Sequence, residues 1–353
     1  MSFKYRQKLP DVEAILQELP LSPELLEVKR ERDREVSAII AGKSSKFLLI
    51  IGPCSADNED AVCEYVARLA KLQQRVKQKL MLLPRIYTNK PRTTGIGYKG
   101  MAHQPDPNDE PNIVEGLIAI RKMHIRAFGE SGLSSADEML YPFNYPYLED
   151  VLSYVAIGAR SVENQEHRLT VSGLDIPAGM KNPTGGDMGV MLNSIRAGHA
   201  PHIFSYTGWE VSTSGNPLMH AILRGAVSPY GRTVPNYHYE DIVHLQKLYT
   251  ESGLPNPAVL VDVSHANSNR QFKEQPRVAR EVLASLKYAP QLRGFVRGLM
   301  IESYLVEGNQ DPSECVYGKS ITDACLGWED SERLVLDIAD LLPPREGEGS
   351  KGS

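Results

Sequence analysis

The stretch Phe47-Leu48-Leu49-Ile50-Ile51-Gly52-Pro53-Cys54-Ser55 decides the fold. Its run of consecutive apolar residues has no polar alternation and reads as a strand buried on both faces. Gly52 and Pro53 stop the run, and a chemically capable side chain, Cys54, follows at once. The segment after it, Glu59–Gln78, carries apolar residues at helical spacing. A doubly buried strand followed by an amphipathic helix is the repeating unit of a parallel α/β sheet.

Outward from this unit the pattern recurs. Strands are predicted at Phe47–Cys54, Met81–Tyr87, Ser135–Leu140, Ala159–Glu163, Ala178–Lys181, His202–Tyr206, His220–Arg224, Ala258–Ser264 and Gly298–Glu302. The clearest helices are predicted at Glu59–Gln78, Ile113–Glu130, Tyr147–Val155, Tyr239–Ser252, Pro276–Leu286 and Ser331–Leu341. Nine strands are one too many for a closed eightfold barrel. His202–Tyr206 is followed only by Thr207-Gly208-Trp209 and a second extended piece, Glu210–Thr213, so this pair reads as an added β-hairpin. The remaining eight predict an α/β fold, a (β/α)8 TIM barrel over residues 47–342. Residues 1–46 read as an N-terminal helical arm, with helical spacing over Asp11–Leu19 and a charged helix over Pro23–Ala41. The tail 343–353 is Pro, Gly, Ser and charge, and is expected to be disordered.

The bulk composition sets limits. The chain of 353 residues, 41% hydrophobic and 24% charged, can bury a sizeable core. Its net charge of −5 argues against a nucleic-acid partner. Cys54, Cys63, Cys315 and Cys325 include no CxxC pair, which excludes a zinc ribbon and suits a reducing compartment. No apolar run approaches the roughly 20 residues that span a bilayer, and the polar, basic start lacks a secretory apolar region. The expectation is a cytoplasmic enzyme that contacts neither nucleic acid nor membrane.

The chemistry is concentrated where the eight strands end, at Cys54, Arg85, Glu138, Arg160, Lys181, Arg224, His265 and Glu302. In a barrel those ends converge on the face that holds the active site. Arg85, Arg160, Lys181 and Arg224, with Lys90 and Arg92 from a nearby loop, form a cationic set. So many convergent cations repel one another, and they imply a ligand with more than one anionic group, such as phosphate plus carboxylate. Cys54, His265 and Glu302, with Asp323 close behind, form a second set suited to a divalent transition metal. The soft thiolate disfavours Mg2+ and Ca2+ and allows Mn2+, Fe2+, Co2+ or Zn2+. A weaker motif, Pro183-Thr184-Gly185-Gly186-Asp187, has the look of a phosphate-binding turn before a helix.

Several longer motifs resemble one family. They include Ile51-Gly52-Pro53-Cys54-Ser55, Lys90-Pro91-Arg92-Thr93-Thr94, Gly158-Ala159-Arg160-Ser161, Met180-Lys181-Asn182 and Ile222-Leu223-Arg224-Gly225. Asp262-Val263-Ser264-His265-Ala266-Asn267, Glu302-Ser303 and Tyr317-Gly318-Lys319-Ser320-Ile321-Thr322-Asp323 complete the set. In order, from about Phe47 to Leu341, they are similar to type I 3-deoxy-D-arabino-heptulosonate-7-phosphate (DAHP) synthase. The resemblance implies condensation of phosphoenolpyruvate with erythrose 4-phosphate and water, the first step of the shikimate pathway. It implies metal ligation by Cys54, His265, Glu302 and Asp323. Phosphoenolpyruvate would lie on Arg85, Lys90, Arg160, Lys181 and Arg224, with His265 also at the substrate. Arg92 and Thr93 would take the aldehyde phosphate. Lys90 is the expected proton donor or relay, Glu138 is expected to orient the water or another side chain, and a homodimer or homotetramer is implied.

The chain departs from the family's usual pattern in several places. The loop Gly95-Ile96-Gly97-Tyr98-Lys99-Gly100 is one residue longer, and Leu140-Tyr141 opens an aromatic run. Most departures fall where family members bind inhibitory aromatic amino acids, so feedback inhibition by Phe, Tyr or Trp is not expected, and an altered effector is the alternative. The alternatives are a specialised-pathway paralogue using a different phosphorylated aldehyde and a non-catalytic regulatory paralogue.

Overall fold

The computed structural model describes residues 2–92 and 94–342. Two helices come first, α1 (Val12–Glu18) and α2 (Pro23–Ile40). The barrel strands are β1 (Phe47–Gly52), β2 (Leu80–Pro84), β3 (Ser135–Glu138), β4 (Leu152–Ile157), β5 (Ala178–Lys181), β6 (His220–Leu223), β7 (Val259–Asp262) and β8 (Val296–Glu302). They are all parallel, in the order β2-β1-β8-β7-β6-β5-β4-β3. A parallel bridge between Arg85 and Ala136 and a 2.9 Å bond from the Ile86 N–H to the Ala136 carbonyl join β2 to β3 and close the ring.

Helices follow seven of the eight strands: α3 (Glu59–Val76), α4 (Ile113–Ser131), α5 (Gln165–Val171), α6 (Met188–His199), α7 (Tyr239–Ser252), α8 (Gln275–Tyr288) and α9 (Trp328–Leu341). Only β3 lacks one. A 3₁₀ turn, Pro142–Tyr147, replaces it, and its two prolines remove backbone donors that an α-helix would need. The (β/α)8 barrel read from the sequence is therefore the observed architecture.

The alternation absent from the β1 sequence is present in its packing. Leu48 and Ile50 face the barrel interior with Leu83, Tyr154, Leu260 and Met300, while Leu49 and Ile51 face the helical layer. Both faces are apolar because both are buried. Val36, Ile39 and Ile40 of α2 join the interior cluster and plug one end of the ring. Arg32 of the same helix reaches the Leu82 carbonyl at 2.8 Å and the Ser134 hydroxyl at 3.0 Å. Inside the barrel the Tyr154 hydroxyl meets His220 Nε2 at 2.7 Å. A Cβ at Gly179 would lie 2.2 Å from that hydroxyl, so the glycine makes room for the pair.

Two expectations are corrected. The fourth strand was placed at Ala159–Glu163, after a helix over Tyr147–Val155; β4 instead runs from Leu152 to Ile157 and begins inside the segment read as helical. Every β4 residue is buried, and a short run buried on both faces has no period that separates strand from helix. Helices α5 and α6 were not among those foreseen. The hairpin was: Ile203–Tyr206 pairs antiparallel with Trp209–Ser212 outside the barrel. The tail 343–353 lies outside the described residues.

Candidate active site

Three of the foreseen strand-end residues, Glu138, Lys181 and Glu302, do end their strands. Cys54, Arg85, Arg160, Arg224 and His265 lie one to three residues beyond, in the loops. The loops lead to the same place. One cavity is lined by the cations Arg85, Lys90, Arg92, Arg160, Lys181 and Arg224, by Glu138 and Asp323, and by His265. Cys54 and Glu302 are buried beside it. Thr93 lies outside the described residues.

The cations are held by groups that leave donors over. Arg85 gives Nη2 to Glu302 Oε1 at 2.8 Å and Nε to the Pro53 carbonyl at 3.1 Å, and its guanidinium stacks 3.9 Å from the Tyr87 ring centre. Its Nη1, like Arg224 Nη1, is buried with no hydrogen-bond partner. A buried donor without a partner costs about 1–3 kcal/mol, and an anion in the cavity would offset that cost. Burial lowers the Arg224 pKa, and the neighbouring Arg270 and Arg160 outweigh part of the support from Asp262.

The expectation of unbalanced cations needs correction. Buried carboxylates are interleaved with them. Lys181 Nζ lies 3.3 Å from Asp262 Oδ2 and 3.7 Å from Glu138 Oε2, and Arg85 pairs with Glu302. Burial alone would raise the Glu138 pKa, but Lys181, Lys90 and Arg85 outweigh it and hold the group below the usual range. Asp262 sits well below its usual value because His265 and Lys181 overcome the same burial penalty. The site is a charge lattice with cations in excess, which an anion can enter without complete desolvation of bare charges.

Beside it lies a donor set for a metal. Cys54 Sγ and carboxylate oxygens of Glu302 and Asp323 all lie within 4.8 Å of one another. His265 Nε2 is 3.8 Å from Glu302 Oε1. Its Nδ1 is 2.9 Å from Asp262 Oδ2, which turns Nε2 toward the set, as a supporting carboxylate does for a metal-binding imidazole. His265 has φ of 51°, a left-handed conformation that non-glycine residues seldom adopt. Asn267 Nδ2 bonded to the Asp262 carbonyl at 2.8 Å and Ser264 Oγ bonded to Asp262 Oδ1 at 2.6 Å brace that turn. Burial and then Glu302 push the Cys54 thiol up, opposed by Lys90, whose Nζ donates to Sγ at 2.7 Å. Mixed thiol, imidazole and carboxylate donors suit a divalent transition metal.

Sequence reading missed Asp262, which links Lys181 to His265. The signal was present: it ends β7 and opens the motif that contains His265. Arg270 was also missed; it lines the cavity and lies 3.6 Å from Asp323 Oδ1. The Gly-rich turn Pro183–Asp187 does not line the cavity, and Asp187 caps α6 through the Val190 N–H at 3.0 Å.

The sequence model described as the DAHP synthetase I family matches residues 23–336. A phospho-2-dehydro-3-deoxyheptonate aldolase of Haemophilus influenzae is 39% identical over 350 residues, covering 97% of this chain and 93% of that one. The Phe-sensitive enzyme of the same name from Escherichia coli K12 is 38% identical, covering 97% of this chain and 96% of that one. The solved structure of the phospho-2-dehydro-3-deoxyheptonate aldolase from Francisella tularensis SCHU S4 superposes with a TM-score of 0.91 at 31% identity, covering 98% of this chain and 100% of that one. Motifs, barrel and similarity over nearly the whole length agree, and the chain belongs to the DAHP synthetase I family.

Proposed function

We propose that the protein is a DAHP synthase, condensing phosphoenolpyruvate with D-erythrose 4-phosphate and water to give DAHP and inorganic phosphate, the first step of the shikimate pathway. The observation that carries this reading is one cavity with two chemistries. The buried, unpartnered Nη1 atoms of Arg85 and Arg224 call for an anion, and the Cys54–Glu302–Asp323 donor set adjoins them.

Phosphoenolpyruvate offers a phosphate and a carboxylate, and Arg85, Lys90, Arg160, Lys181 and Arg224 supply cations for both. Arg92, which lines the cavity, takes the phosphate of the aldehyde, and the family motif adds Thr93 to that role. Cys54, His265, Glu302 and Asp323 would hold a divalent Mn2+, Fe2+, Co2+ or Zn2+, whose chemistry here is Lewis-acid polarisation of the aldehyde oxygen. The new C–C bond joins C3 of the enol ether to the aldehyde carbon. Lys90 gives a proton to the oxygen that becomes the new hydroxyl. Burial works against the Lys90 ammonium, but Cys54 and Glu302 hold its pKa above the ordinary lysine value, so it is charged and able to donate. Water adds at C2, Glu138 orients it and takes its proton, and the C2–O bond to phosphate breaks. Assembly as a homodimer or homotetramer belongs to the same reading, and exposed Ile203 and Trp209 on the hairpin support a protein contact there.

The test is phosphate release from the two substrates with Mn2+ present, then with EDTA. Turnover should need both substrates, vanish in EDTA and return with metal. Cys54→Ala should also lose bound metal measured by elemental analysis. Turnover unaffected by chelation would contradict the metal assignment.

A further inference from the structure

A second cavity, of about 420 Å³, lies behind the same loops that build the active site, whose own cavity is about 100 Å³. Three loop segments and Ala119 of α4 wall it: Asp57–Glu59, three residues past Cys54; Met101–Asn108, in the loop that begins with Lys90 and Arg92; and the stretch from Gln310 to Ile321, just before Asp323. The second and third of these loops each show one surface to each cavity, and the first carries Cys54, buried beside the active-site cavity. The change of side is abrupt in the third: Ile321 lines the second cavity, and Thr322 and Asp323 line the first.

The loops are also tied to one another. Ser55 Oγ and Thr322 Oγ1 lie 2.9 Å apart, which links the first loop to the third. The Lys90 N–H bonds to the Lys99 carbonyl at 3.0 Å, and the Ala102 N–H to the Thr88 carbonyl at 3.1 Å, so movement at Met101 reaches Lys90 through two backbone bonds. Gln310 Nε2 holds the Val316 and Lys319 carbonyls at 2.8 and 2.9 Å, making the third wall a unit.

The chemistry of the two cavities is opposite. The active-site cavity is crowded with arginine and lysine. The second has Asp57, Glu59 and Asp106 on its walls and no Lys, Arg or His among its lining residues. Met101, Pro107, Val316, Tyr317 and Ile321 give it an apolar side. Asp57 Oδ1 is buried without a hydrogen-bond partner, and burial raises the Asp57 pKa to about 7, which an ammonium beside it would lower. A half-buried carboxyl with one unpartnered oxygen next to an apolar wall fits a ligand with an ammonium at one end and a hydrocarbon body at the other. Phosphate and carboxylate ligands, which the first cavity is built for, are repelled.

We infer that this second cavity is a binding site for an amphiphilic primary amine, with its ammonium on Asp57 and its apolar body against Met101, Val316 and Ile321, and that its occupation shifts the loops carrying Cys54, Lys90 and Asp323. The shift in catalysis rests on the synthase reading, whereas binding does not, so the two are measured separately.

Phenethylamine is the probe, titrated by calorimetry into the full-length, metal-loaded protein, with 3-phenylpropionate as the analogue of opposite charge. Saturable binding of the amine and none of the acid is expected, and Asp57→Asn should weaken it at least about tenfold, or 1.4 kcal/mol. Asp106→Asn, at an exposed position, should weaken it to a lesser degree and guards against misfolding of the Asp57 variant. Cys315 is an exposed free thiol on the cavity wall. Its modification by a benzyl thiosulfonate should block the amine, and Cys315→Ser should be immune to the reagent. At saturating amine, kcat or the KM for the aldehyde should change by at least about threefold. Equal binding of amine and acid, binding that survives both the Asp57→Asn change and Cys315 modification, or no binding would overturn the site. Binding with unchanged kinetics would overturn the coupling to catalysis while leaving the function reading intact.

Discussion

Arg224 shows how one side chain carries several parts of the account. Its backbone N–H is fixed by Asn182 Oδ1 at 3.0 Å, and its Nη1 is left buried and unpaired. Arg224→Gln should raise the KM for phosphoenolpyruvate at least about tenfold with a smaller change in kcat, because it removes a charge-assisted anion contact; initial rates over a range of substrate concentration read this. Lys90→Met should instead lower kcat by roughly 10²–10⁴ if Lys90 is the proton donor, and a pure KM effect would reassign it to binding. His220 provides a pH test away from the active site. Burial depresses its pKa to about 4 from 6.5, so it is neutral in the native barrel and its contribution to stability is present above pH 6.5 and lost as pH falls toward 4. The stability gap between wild type and His220→Gln, measured by urea unfolding, should therefore shrink as pH falls through that window, by up to about 1.4 kcal/mol per pH unit. A gap independent of pH would mean that the imidazole does not titrate as its burial requires. At this scale the sequence was informative wherever a reactive side chain followed an apolar run. Asp262 was passed over because its role depends on where β7 ends, and turn geometry sets that point.

At the scale of elements, the barrel interior leaves little room for change. Gly179 faces Tyr154, Ile222 and His220 at distances that a methyl group cannot share. Gly179→Ala should cost about 1–3 kcal/mol by overpacking, seen as a lower denaturant midpoint; an unchanged midpoint would mean that the interior relaxes freely. Helices α3, α4 and α7 were legible because their apolar stripes are long; the structure adds the caps Asn58 and Asn112 to the first two. The element misread was β4. Most of it stands where a helix over Tyr147–Val155 was expected, just after the Pro142–Tyr147 turn, and neither piece has a period to read. The site reading survived that error because Arg160 lies in the turn just after the observed strand and lines the cavity.

For the whole molecule, closure of the ring matters most. The eight strands close into a ring at Arg85 and Ala136, and on the other side of β2 the strand β1 pairs with both β2 and β8, which brings Arg85, just past β2, against Glu302, the last residue of β8, 217 residues apart. Sequence alone predicted this convergence only through the eightfold count; the interleaved carboxylates emerged from packing. Beyond the ring, Ile203 and Trp209 of the hairpin are each 74% exposed. The homo-oligomer reading predicts that the paired change Ile203→Lys and Trp209→Glu lowers the mass found by sedimentation, and an unchanged mass would place the contact elsewhere. The most direct measurement of the central claim is the identity of the product. Incubation of the Mn2+-loaded protein with phosphoenolpyruvate and erythrose 4-phosphate should yield seven-carbon DAHP, identified by mass spectrometry, in one-to-one ratio with released phosphate. Phosphate without a seven-carbon product, or condensation only with a different aldehyde such as arabinose 5-phosphate, would contradict it.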